Sequence, residues 1–345
     1  MATNVSYANN DTILESLVLH TLPDFGPHGD GIINTNFLFS ALKDKDKKAG
    51  ASKRFQIIDG GLEFWNGILK AESSNFKWQA HTADMTTQLQ DPNARLRFDI
   101  KTFTGSVVIN KLHEAQNKGK AMMKEFARTL REQAESTIPN QFNSAFWAAS
   151  PASTEPESLP SLISANPTTG TIGGLSRSGN AYLQNIAYST AVADIGSEAG
   201  IAALTRQKLR AAIGQGGIDA PDLAIMDDSN YAGLSGYLAT LNRYRPDDRM
   251  AELGFDTIRL GNMTVSYENT NVQGSPNTIT SGYVYLINSN YLAFKVLRDG
   301  NFMWNPDGFE RVGQTLNKAL YFWVFCNLTT NNPRAHVVMT NVATA

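Results

Sequence analysis

Two pairs of adjacent acids, Asp227-Asp228 and Asp247-Asp248, are the spacings in this chain that most invite chemistry. Asp227 follows the apolar run Leu223-Ala224-Ile225-Met226, and the carboxyl end of a strand is where an open α/β sheet offers groups to a ligand. One reading is therefore an α/β enzyme with its site near Asp227. The plainer reading is a strand end that caps the helix expected next, and the spacing favours it. Asp247-Asp248 sits in Arg243-Tyr244-Arg245-Pro246-Asp247-Asp248-Arg249, a mixed-charge loop suited to salt bridges. His20, His28, His81, His113 and His336 are scattered, with no His-x-His or His-x-x-x-His spacing, so no local metal site is expected. Gly214-Gln215-Gly216-Gly217 follows an expected helix, not a strand, and reads as a helix stop instead of a phosphate cradle. No Gly-x-Ser-x-Gly elbow is present. The single cysteine, Cys326, follows Tyr321-Phe322-Trp323-Val324-Phe325 and is expected to be a buried, inert thiol, which leaves no intrachain disulfide and no cysteine zinc site. No catalytic, cofactor-binding or metal-binding residue is assigned from the sequence.

The elements that would position any site have ample material. The chain has 345 residues, 42% of them hydrophobic, enough for two compact lobes or one large domain. Its 30 Lys plus Arg against 32 Asp plus Glu indicate no strongly basic groove overall. Residues 1–10 are polar and form no signal-peptide core, and no apolar run of about 18 residues suggests a membrane span. Synthesis in the cytoplasm is expected.

The chain is organised around residues 112–138, which read as one amphipathic helix. Leu112, Ala115, Gly119, Met122, Phe126, Leu130 and Ala134 recur at steps of three and four. Pro139 is expected to end it. Such a helix is a rod of roughly 40 Å, long for a compact domain and suited to a spine. Before it, residues 1–54 read as an extended arm, with a short helix at 34–42 whose Phe37, Leu38 and Leu42 share a side. Lys43-Asp44-Lys45-Asp46-Lys47-Lys48 reads as a solvated linker. Residues 55–110 read as strands, including a long hairpin with arms near 62–80 and 94–109, reaching on the order of 50 Å. A ribbon of that length needs support from elsewhere, which points to neighbouring subunits.

After the spine, a helix is expected at 141–149 with Phe142, Phe146 and Trp147, then a proline-rich loop over 150–170. Residues 165–290 mix helices and strands as a small α/β lobe would. A helix is expected at 205–213 with Thr205 as its cap, a strand at 221–226 and a helix at 229–241. Further strands are expected at 257–260, 262–267 and 283–287. Strands at 291–296, 320–328 and 335–340 read as a return to the first lobe.

The order of parts resembles the major capsid proteins of tailed bacteriophages, with the fold named after phage Hong Kong 97. Three segments strengthen the resemblance. Asp59-Gly60-Gly61-Leu62-Glu63-Phe64 is similar to the entry to the family's extended loop. Val107-Val108-Ile109-Asn110, followed by Asn117-Lys118-Gly119-Lys120, is similar to the start of its spine helix. Ile172-Gly173-Gly174-Leu175-Ser176-Arg177 is similar to the Gly-Gly segment of one large branch. Tyr182-Leu183-Gln184-Asn185 departs from the aromatics and arginine often found there.

The resemblance implies an α+β fold. Its parts would be an N-terminal arm (1–54), an extended hairpin loop (55–110), a spine helix with peripheral domain (111–164), an axial domain (165–290) and a return to the peripheral domain (291–345). It implies a non-catalytic shell protein without cofactors, whose copies form the hexamers and pentamers of an icosahedral head around phage DNA. Scaffolding, portal and decoration proteins would be its other partners, DNA would be touched weakly and non-specifically, and no membrane would be involved. The protein would be made in the host cytoplasm and end in the virion. Some family members join a hairpin lysine to a neighbour's asparagine. Lys70 and Lys77 lie on the expected hairpin, and Asn331 and Asn332 in a late turn, but these are common residues and ordinary surface roles suit them better. An encapsulin-type compartment shell is the alternative within this fold.

Overall fold

The computed structural model describes residues 37, 38, 42, 54–70, 73–78, 80, 81, 84, 87–89, 91–112, 120–189, 194–212, 219–240, 256–270, 276–313 and 315–343. Their architecture is α+β: two six-stranded sheets, a hairpin and one long helix.

The first sheet is built around β15 (Asn317–Thr330), a 14-residue strand. Along one edge it pairs β4 (Lys101–Asn110) over ten residues, from Asn317 opposite Asn110 to Cys326 opposite Lys101. Along the other it pairs β12 (Leu292–Leu297), β13 (Met303–Trp304) and β14 (Glu310–Arg311) in turn. Parallel β1 (Phe55–Ile58) adds to β12 and completes the sheet.

Across one face of this sheet lies α1 (Lys120–Trp147), a 28-residue helix. Phe126, Leu130, Ala134, Ile138, Phe142 and Phe146 follow one another at steps of four, and the last four are buried. That stripe faces the core. Phe142 packs on Phe103 of β4 at 4.8 Å and on Phe302 at 5.8 Å, and Phe146 meets Phe294 of β12 edge-on at 5.8 Å. Each such buried ring stabilises by roughly 2–3 kcal/mol. The expected stop at Pro139 is corrected: Pro139 lies inside the helix. It removes the hydrogen bond to residue 135, yet the burial of Phe142, Phe146 and Trp147 carries the helix on. The separate helix expected at 141–149 is therefore the last part of α1. At its other end, residues 113–119 lie outside those described.

The second sheet runs β7-β16-β11-β8-β10-β9, comprising β7 (Ile186–Tyr188), β8 (Leu223–Asp227), β9 (Ile258–Leu260), β10 (Met263–Glu268), β11 (Val284–Ile287) and β16 (Val337–Met339). Every residue of β8 is buried, because both faces are covered. Leu223 and Ile225 face the core shared with α1, where Trp147 packs on Tyr285 at 5.7 Å. Ala224 and Met226 face α3 (Glu198–Arg210) and α4 (Asp228–Thr240) through Leu204, Leu234 and Leu238. Ser197, not Thr205, caps α3, its hydroxyl accepting from the Gly200 N–H. Strand β16 joins this second sheet, whereas β12 and β15 join the first.

The hairpin is formed by β2 (Glu63–Leu69) and β3 (Asn93–Asp99), paired from Glu63 opposite Asp99 to Leu69 opposite Asn93. Phe64, Ile68, Ala94, Leu96 and Phe98 form its buried face. Asn66 Nδ2 donates to the Thr330 carbonyl at 2.9 Å, and Lys295 Nζ donates to Asn66 Oδ1 at 2.6 Å, so the hairpin is pinned to the middle of β12 and the end of β15. Its arms are shorter than expected. The described residues of 70–92 contain no strand, since Ser73-Ser74-Asn75 breaks the apolar alternation. The second arm stops at Asp99 because β4 finds a ten-residue partner in β15.

A further contact braces the hairpin. The α2 turn (Leu159–Leu162) leads to β5 (Thr171–Ile172) and β6 (Leu175–Ser176), joined by Gly173-Gly174. Both glycines have positive φ, 54° and 77°, as a two-residue primed turn requires. The Gly173 carbonyl accepts from the Arg97 N–H at 3.0 Å, and a Cβ at Gly173 would lie 2.7 Å from Leu96 Cβ. Only glycine allows that approach.

Candidate interaction surface

The hairpin leaves its chemistry on the outside. Leu62 is 95% exposed, Phe76 90%, Trp78 104% and Leu89 103%. Phe76, Trp78 and Leu89 share the projection beyond the hairpin strands, where large apolar side chains with almost no contact in their own chain are an interaction signal, and Leu62 lies at its base. The projection has internal order: Asn75 Nδ2 donates to the Gln88 carbonyl at 2.8 Å, and the Gln88 N–H donates to Asn75 Oδ1 at 3.2 Å.

The outward face of β2 and β3 is aromatic and basic. Trp65 lies opposite Arg97, one register step from Arg95. Both guanidinium groups lie over its ring, at 5.2 and 5.3 Å from the centroid, within the range of a cation–π attraction. Lys70 holds Asp91 at 3.1 Å, and this cation keeps the Asp91 carboxyl below the usual range. The sequence places Arg95 and Arg97 on the second arm of the expected hairpin, near 94–109. It did not place Trp65 beneath the two arginines, because that depends on the register with β2.

The acids singled out from the sequence do other work. Asp227 has no exposed surface. Its carboxylate accepts from the Asn230 side-chain amide and from the Gly282 N–H at 3.3 Å. It ties the end of β8 to the start of β11. Asp228 is the first residue of α4, and its carboxylate accepts from the Ser229 N–H at 3.0 Å and the Thr270 hydroxyl at 3.2 Å. Asp247-Asp248 and Gly214-Gln215-Gly216-Gly217 lie outside the described residues, as do His20, His28 and His113. His81 is exposed and His336 is buried. Among the described residues no group of three His, Cys, Asp or Glu side chains could hold a metal, and no helix is long and apolar enough to cross a membrane. Cys326 is buried, and desolvation pushes its thiol up to about 12. Lys77 is exposed, and the Asn331 N–H donates to the Tyr291 carbonyl at 3.2 Å.

The largest fully buried side chain, Arg177, was not singled out from the sequence. Its guanidinium donates to the Ser161 carbonyl at 2.6 Å, the Leu162 carbonyl at 3.0 Å and Asn185 Oδ1 at 3.0 Å. Burial lowers its pKa, against the opposing field of Glu157.

No family model matches the sequence, and no curated protein matches it. Solved structures do match along most of the chain. The capsid asymmetric unit of cyanophage A-1(L) aligns with a TM-score of 0.56 at 12% identity, covering 85% of this chain and 97% of that one. The capsid of an empty GTA particle aligns at 0.52 and 11%, covering 88% and 98%. The capsid of Myoviridae phage XM1 aligns at 0.50 and 14%, covering 83% and 89%. The chain therefore has the fold of capsid shell subunits.

Proposed function

We propose that this chain is the major capsid protein of a tailed bacteriophage, assembling into the hexamers and pentamers of an icosahedral head that encloses the phage DNA. The observation that carries the reading is the fold agreement over nearly the whole length of capsid subunits, 97% and 98% for two of them. The bare apolar side chains of the hairpin, Phe76, Trp78 and Leu89 beyond its strands and Leu62 at its base, support it, since neighbours in a shell would bury them. In this reading the fold is Hong Kong 97-like: residues 1–54 are the arm, β2 and β3 the extended loop, and α1 the spine. The first sheet then lies in the peripheral domain and most of the second in the axial domain. The protein acts by assembly and not by catalysis, without cofactors. Scaffolding, portal and decoration proteins are its further partners, it is made in the host cytoplasm, and DNA is held weakly and non-specifically.

The test is to express the chain alone and with its neighbouring genes, then examine the product by size-exclusion chromatography and negative-stain electron microscopy. Megadalton shells, tubes or capsomers are expected. A small soluble species under every condition would overturn the reading. Shells loaded with a cargo enzyme instead of DNA would make it an encapsulin-type compartment.

A further inference from the structure

The outer edge of β3 and the Gly173-Gly174 turn border an open cleft of about 590 Å³, lined in part by Lys70, Arg95, Arg97, Gly173, Gly174 and Tyr182. Three of these residues are cations. The guanidinium carbons of Arg95 and Arg97 both lie over the Trp65 ring, and among the described residues no carboxylate bridges either of them. Two neighbouring guanidinium groups gathered on one ring suit an oxyanion taken with charge-assisted hydrogen bonds. Deepening the capsid reading, on which this rests, the geometry points to a carboxylate-bearing segment of a second copy of the chain as the occupant of this cleft.

Two observations favour a protein carboxylate over duplex DNA. The positive region is short: Asp91 borders it at one end of the hairpin, and the Glu63–Asp99 pair lies at the other. Duplex binding needs a basic stripe that follows the backbone, whereas these three cations are confined to one cleft between acidic ends. The chain as a whole is net negative, at −2, so its remainder is an excess source of carboxylates for these three cations. Trp65, under the two arginines, and Leu69, next to Lys70, are half-exposed, so that an acidic segment seated there covers apolar surface at its margin.

The test uses assembled full-length protein made from a mixture of ordinary and ¹⁵N-labelled copies. A carbodiimide condenses Lys70 Nζ with any carboxylate in contact, forming an amide and taking up the water released. The Lys70–Asp91 pair within one copy is an internal control for folding. Mass spectrometry then separates products within a copy from those between copies. Mixed-isotope products joining Lys70 to an acid of another copy are expected. In the Arg95→Glu, Arg97→Glu variant their yield should fall at least about tenfold, while the within-copy product persists. The milder Arg95→Gln, Arg97→Gln variant should fall in between. Shells that give only the Lys70–Asp91 product would overturn this inference and leave the capsid reading intact. So would a DNA duplex, probed by fluorescence anisotropy, that binds the wild type and not the double variant. Absence of any assembly would instead overturn the capsid reading itself.

Discussion

His336 links the two sheets and makes their junction sensitive to acid. Its Nδ1 accepts the Asn288 N–H at 3.2 Å, so the neutral ring carries its proton on Nε2, 3.3 Å from the Thr330 hydroxyl. Burial pushes its pKa down to about 4, against the pull of Asp222. The unfolded chain takes up a proton near pH 6.5 that the folded chain refuses until about pH 4. More protons on the unfolded state mean that stability, fully present above pH 6.5, falls as pH drops through this window. The loss is up to about 3 kcal/mol. Denaturant midpoints measured between pH 7.5 and 4 should fall more steeply for the wild type than for His336→Gln; parallel curves would assign the slope to other groups. Arg177 gives a second residue-scale expectation. Arg177→Met takes the donor from the Ser161 and Leu162 carbonyls and leaves Asn185 Oδ1 only the Ser164 N–H, and should cost about 3 kcal/mol, read as a lowered Tm. Arg177→Lys should recover little, since one ammonium cannot reach the three acceptors as a planar fork does.

At the scale of elements, the Gly173-Gly174 turn makes a graded prediction. Both positions have positive φ, but only Gly173 is pressed against Leu96. Gly174→Ala should cost about 1 kcal/mol for backbone strain alone. Gly173→Ala adds a Cβ clash and should cost about 2–4 kcal/mol, loosening β3 from the turn. Paired thermal melts check the order. Which elements were legible follows from what each depends on. β8, β11, β12 and β15 were readable because continuous apolar runs need no partner to be recognised. Phe37, Leu38 and Leu42 are helical and buried as their spacing suggested. The course of α1 past Pro139 was not legible, because a local rule about proline yielded to the burial of Phe142, Phe146 and Trp147. The split of the expected long arm into β3 and β4 was hidden for another reason: the partner of β4 lies some 200 residues away in β15. The candidate surface was half visible, as a lysine-bearing, aromatic hairpin whose arginine–tryptophan stack depends on register.

For the whole molecule the decisive quantity is the difference between folding alone and folding together. Phe76 and Trp78 contribute almost nothing to the isolated chain, because they are 90% and 104% exposed. Replacing both with Ser should leave the thermal melt of the unassembled subunit within about 0.5 kcal/mol of the wild type. In the proposed shell the same side chains would lie at a contact, where burying an aromatic ring is worth roughly 2–3 kcal/mol. That gain is repeated at every equivalent position of a closed symmetric assembly. A small loss per contact therefore becomes a large loss of the assembled state, and the subunit concentration needed for assembly should rise at least about tenfold for each such ring removed. Light scattering against concentration measures that threshold, and circular dichroism measures the subunit's own stability. A raised threshold with an unchanged melt is the expected pair of results. A lowered melt would mean that the tip packs on its own chain, and an unchanged threshold would move the subunit contacts away from the hairpin.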